Sequence, residues 1–64
     1  MQTEHDVERR IYLLELLKTE ARLGENPFIT FCRVRNRELN APPGIMLPES
    51  AAAAMNDFMF LAFG

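Results

Sequence analysis

Tryptophan is absent, and cysteine, histidine and tyrosine occur once each in this chain of 64 residues. A single cysteine, Cys32, excludes an internal disulfide and suits a reducing compartment. With His5 as the one histidine and no Cys-x-x-Cys pair, a metal site has no ligand set, and no cofactor is expected. The three glycines stand apart at 24, 44 and 64, which excludes a glycine-rich phosphate loop. No stretch reaches the roughly 20 apolar residues of a membrane-spanning helix. The start, Met1-Gln2-Thr3-Glu4-His5-Asp6, is polar and acidic and lacks the apolar segment of a signal peptide, so a cytoplasmic location is expected. A net charge of −2, spread along the chain, gives no overall attraction for nucleic acid or an anionic membrane.

What is present is an unusual C-terminus. Phe58-Met59-Phe60-Leu61-Ala62-Phe63-Gly64 carries neither a charge nor a polar side chain. So much contiguous apolar surface must be buried, against the chain's own core, a second copy or another protein. The chain forms one domain, residues 1–64, near the lower size limit for independent folding. A domain of about 60 residues buries only roughly 60% of its unfolded surface. Without disulfide or metal, tight packing or association must supply the rest.

Residues 4 to 23 read as a helix capped by Thr3, with acidic Glu4 and Asp6 at its positive end and Gly24 as a left-handed stop. Val7, Ile11, Leu13, Leu14, Leu17 and Ala21 fall on one broad face, the expected core side, interrupted by Arg10 and Lys18. Tyr12, Leu16 and Leu23 form a second stripe on nearly the opposite side. A helix apolar on two sides is sandwiched between neighbours or carries an interface.

Residues 26 to 40 are ambiguous. Phe, Ile, Thr and Val favour a strand, and alternation over 32–37 would align Arg33, Arg35 and Arg37 on one face. Against this, Asn26-Pro27 reads as a helix cap and first helical position. Phe28, Phe31, Cys32 and Leu39 share one helical arc, with Thr30, Arg33 and Arg37 opposite and Arg35 inside the apolar arc. No second strand is available, which favours a helix. Ala41-Pro42-Pro43-Gly44 breaks it, and Ile45-Met46-Leu47 is expected to strap back onto the core. Pro48 opens a last helix whose four alanines let another helix approach closely, with Met55, Phe58, Leu61 and Ala62 expected to face the first helix. The fold class is therefore all-α, a compact three-helix bundle. The alternative is α+β, with residues 28–37 as a strand pairing across a dimer.

No nucleophile, base and orienting acid come together in the sequence, and an enzyme is not expected. Cys32 sits among apolar neighbours and reads as a packed thiol. His5 with Glu8 is a two-ligand pair at a helix terminus and reads as solvated. The expected function is that of a small non-catalytic protein–protein interaction module, an adaptor, inhibitor or modulator of a larger complex, as a homodimer or as one half of a hetero-complex. Tyr12, Leu16, Leu23, Phe60 and Phe63 are its candidate partner-binding residues. The alternative is a dimeric nucleic-acid-binding regulator using Arg33, Arg35 and Arg37. A helix-turn-helix through Leu23-Gly24-Glu25-Asn26 fits that alternative imperfectly. Glu20 stands where the motif wants a small residue, and Phe28 and Ile29 stand where polar side chains would read a groove.

Overall fold

In the computed structural model, which describes residues 3–64, α1 (Glu4–Glu20), α2 (Pro27–Glu38) and α3 (Pro48–Phe63) follow one another. Met1 and Gln2, the first residues of the polar start, lie outside the described residues. The chain is an all-α three-helix bundle, and no strand occurs among the described residues. The strand alternative for 28–37 is thus overturned. The Asn26 side chain accepts from the Phe28 N–H at 2.8 Å and Pro27 takes the first helical position, so the capping signal prevails over β-propensity.

At the start of α1, the Thr3 hydroxyl accepts from the Asp6 N–H at 3.1 Å. The helix ends at Glu20 and not at 23, because Ala21 turns extended at ψ 135°. Arg22 to Glu25 then form a tight turn closed by the Glu25 N–H on the Arg22 carbonyl at 2.9 Å. Gly24, at φ +76°, takes its third position, so it serves this turn rather than the helix end. Arg33 Nη2 donates to the orphaned Glu20 carbonyl at 2.7 Å. α2 stops in a Schellman arrangement: Asn40 is left-handed at φ 55°, and the Ala41 N–H reaches the Asn36 carbonyl at 2.9 Å. In the following connector, Asn36 donates to the Ile45 carbonyl at 2.8 Å and accepts from the Leu47 N–H at 3.2 Å. The strap is held by its backbone. Ile45 and Met46 stay exposed, and only Leu47 is half-buried, contrary to the expectation that all three pack inward.

The core is small. Leu13, Phe31, Cys32 and Ala54 form its buried centre, with Leu16, Leu17, Phe28, Phe58, Phe60 and Leu61 packed around them. α2 packs most closely on α3. Ser50, Ala54 and Asp57 are buried along one side of α3, and the small side chains allow that approach. α1 is rotated from its expected setting. Val7, Ile11 and Leu14 are 43–56% exposed, and the buried side runs through Leu13 with Arg9, Arg10, Leu16, Leu17 and Glu20 beside it. α3 is likewise turned, leaving Met55 and Ala62 exposed while Phe58 and Leu61 are half-buried.

Candidate protein-protein interface

The only acid of α3 beyond Glu49 ties that helix to both of the others. Asp57 is 2% exposed and accepts from Arg9 Nη2 at 3.0 Å and from Arg35 Nε and Nη2 at 3.1 and 2.9 Å. Arg35 also reaches Glu38 at 3.1 Å. Burial works against its charge, but the hydrogen bonds and charge of Asp57, with Glu38, outweigh burial and hold its pKa above the ordinary arginine value. Arg10 donates to the Leu61 and Phe60 carbonyls at 3.2 Å each, a favourable place for a cation at the negative end of α3. The guanidinium carbons of Arg9 and Arg10 lie 4.8 and 5.2 Å from the centre of the Phe60 ring.

A second ionic cluster joins α1 to α2. Arg33 clamps Glu25 with contacts of 3.2 and 2.7 Å, and Glu25 also accepts from the Thr30 hydroxyl at 2.7 Å and the Arg22 N–H at 3.2 Å. The Arg33 hydrogen bonds and then the Thr30 hydroxyl bring the Glu25 carboxyl down to about 2. Arg37 holds Glu20 through contacts of 3.2 and 2.8 Å and lowers its pKa. The three candidate nucleic-acid-binding arginines are therefore each engaged by an acid of the same chain. They also diverge: Arg33 and Arg37 face the end of α1, whereas Arg35 faces α3.

The five candidate partner-binding residues occupy different places. Tyr12, half exposed, and Leu16, half-buried, line one open depression of about 280 Å³. Val34 forms the rest of its apolar wall, and Glu15, Thr19, Glu20, Arg37 and Glu38 form its polar rim. Leu23 projects fully into solvent from the α1–α2 turn. Phe60 is half-buried beneath the two guanidinium groups, and Phe63, 82% exposed, ends α3. Tyr12 and Leu16 are thus brought together, while Leu23 stands away in its turn.

Apart from Phe63, the exposed side of α3 is not among the partner-binding residues expected from the sequence. The outward side of α3 carries Ala52, Met55, Asn56, Met59, Ala62 and Phe63, all exposed and all uncharged. Asp57, the acid that turns the opposite side inward, was the available signal: a lone carboxylate in an apolar helix, with Arg10 and Arg35 each interrupting an apolar arc elsewhere. Among the described residues no three metal-ligating side chains converge, and no helix is long and apolar enough to cross a membrane. Burial pushes the Cys32 thiol up, away from the reactive thiolate. Comparison of the chain with protein-family models, with curated proteins and with solved structures finds no match in any of the three.

Proposed function

We propose that this chain is a small non-catalytic protein–protein interaction module that associates with itself and serves as an adaptor, inhibitor or modulator of a larger complex in the cytoplasm. The observation that carries the reading is the imbalance of apolar surface. Among the described residues, twelve large hydrophobic side chains are at least 43% exposed, while five apolar side chains are buried. The shape agrees. A radius of gyration of 12.1 Å exceeds the roughly 10.7 Å expected for a compact domain of this length, and the molecule is a slab of 39 × 25 × 17 Å. A thin layer with a small core leaves apolar side chains for a second surface to cover.

The nucleic-acid alternative draws less support. Phosphate binding gains free energy when cations release condensed counterions, and Arg33, Arg35 and Arg37 would first have to leave Glu25, Asp57 and Glu20. Molar mass by light scattering across a concentration series tests the principal reading. A mass that rises to a multiple of 7.4 kDa supports it. A monomer up to millimolar concentration, with no binding of an apolar dye, refutes it.

A further inference from the structure

We infer that the outer side of α3 is a two-fold interface on which a second copy of this chain lays its own α3 antiparallel. This inference rests on the self-association proposed above and assigns the surface responsible. Ala52, Met55, Met59 and Ala62 follow one another at spacings of three, four and three along a single exposed stripe, the spacing of a helical packing seam. Both the residues and the spacings read the same in either direction. A two-fold axis passing at the level of residue 57 therefore sets Met55 against Met59 of the other copy, twice, and Ala52 against Ala62 of the other copy, twice. Isologous contacts demand this kind of self-complementarity.

The chemistry selects a second copy over a charged partner. From Ala51 to Gly64 the one charged side chain is Asp57, and it is buried on the far side of the helix. Between Ala52 and Ala62 antiparallel self-pairing thus brings no like side-chain charges together, and a charged partner would find no counter-charge along that stripe; Glu49, exposed in the first turn, lies outside it. Alanines at both ends let the backbones approach, and the flexible, polarizable methionines fill the middle. The exposed α1 stripe of Val7, Ile11 and Leu14 differs, because Lys18 falls within it and Glu8 and Glu15 flank it.

The seam is small. Sixteen residues give α3 a length of about 24 Å, and a helix about 10 Å wide covers roughly 240 Å² in projection. One helix face on each side is a small contact beside the roughly 20–30 residues a side of a standard interface, so the dimer is a reversible one that dissociates on dilution.

The test uses the full chain. M55E and M59K, each alone, should raise the dimer dissociation constant about tenfold or more, because each buries an unpaired charge against a methionine. Mixed in equal amounts, the two variants should recover a dimer. The new acid then meets the new base across one contact while two methionines meet across the other. A parallel pair or a different surface gives no such recovery. I11E on α1 serves as a control that keeps the dimer. Circular dichroism verifies that each variant retains its helices. If a charged variant unfolds, M55C and M59C oxidised as a mixture should crosslink faster than either alone. Dimers that persist in both charged variants, a mixture that stays monomeric, or loss of the dimer in I11E would each overturn this interface and leave self-association standing. A wild-type chain that never dimerises removes both.

Discussion

Replacing Asp57 by Asn tests whether a buried ionic cluster, rather than the apolar core alone, holds the three helices in register. The substitution keeps the shape of the side chain and removes its charge, leaving the guanidinium groups of Arg9 and Arg35 facing an amide. Breaking a fully buried pair costs about 3–5 kcal/mol, and an exposed pair contributes about 0–1 kcal/mol. This cluster lies between those limits. Asp57 is 2% exposed, but the arginine side chains are 40% and 30% exposed and can rehydrate once released. Three charge-assisted hydrogen bonds are lost or weakened, and the two cations are left without their shared counter-charge. We place the loss at about 2 kcal/mol. Domains keep about 0.05–0.15 kcal/mol per residue, so this chain has only about 3–10 kcal/mol in total.

The assay is urea and thermal unfolding followed by helix content, at one fixed protein concentration because association adds to apparent stability. At about 4–8 °C per kcal/mol, the midpoint should fall by roughly 8–16 °C. A double-mutant cycle with Arg35→Met isolates the pair. Once Asp57 is Asn, the arginine substitution should cost at least about 1 kcal/mol less than it does in the wild type. A loss below about 0.5 kcal/mol, or additive single effects, would refute the assignment of Asp57 as the anchor.

Three further outcomes are expected. Glu25 has its carboxyl depressed from 4.5 to about 2 in the fold, so its contribution is complete above about 4.5 and disappears as the pH falls toward 2. The stability difference between wild type and Glu25→Gln should shrink over that window in acid titrations monitored by circular dichroism, and a difference that does not change with pH would contradict the clamp. Ser50 buries its hydroxyl without a hydrogen-bond partner among the described residues, so Ser50→Ala should be stabilising by about 0.5–1.5 kcal/mol, as measured by urea midpoint. A destabilised variant would show that the hydroxyl has a partner after all. Cys32 is buried with its thiol pKa raised, so an aromatic disulfide reagent at neutral pH should modify it only at the rate at which the fold opens. Immediate modification would disprove its burial.

Helix existence was legible because the punctuation is local. Thr3, Asn26-Pro27 and Pro48 mark the three starts, and all three are used. Rotation about the helix axes was not legible. The expected core face of α1, Val7, Ile11, Leu13, Leu14, Leu17 and Ala21 with Arg10 and Lys18 interrupting it, holds for Leu13 and Leu17 but not for Val7, Ile11 and Leu14, because hydropathy gives Arg9 no place on the inner side. In the fold both arginines turn inward, where Asp57, the Phe60 ring and the last carbonyls of α3 satisfy them. The true inner side is therefore a mixed one, centred on Leu13. α2 misled in the same manner: Val34 and Thr30 fell outside or opposite the expected apolar arc, yet both are buried. The Arg33 clamp on Glu25 and the Arg37 clamp on Glu20 hold that side of α2 against the end of α1.

The apolar end of the chain shows why periodicity alone falls short. Met55 and Phe58 to Phe63 lie almost all around α3, so no hydrophobic stripe says which side faces the core. One charge decides it. At 100° per residue, Asp57 projects about 180° from the centre of the stripe formed by Ala52, Met55, Met59 and Ala62. Arg9 and Arg35 draw Asp57 inward, and that rotation necessarily turns the stripe outward. The pairing of Asp57 with Arg9 and Arg35 also places the one charge of α3 beyond Glu49 inside the fold. It is this that leaves the outer side neutral, and it links the stability of the monomer to the surface proposed for the dimer. Asp57→Asn should therefore weaken association as well as folding, because a helix free to rotate no longer presents a fixed seam. A variant that loses stability while its monomer–dimer constant stays unchanged under folding conditions would separate the two and break that link.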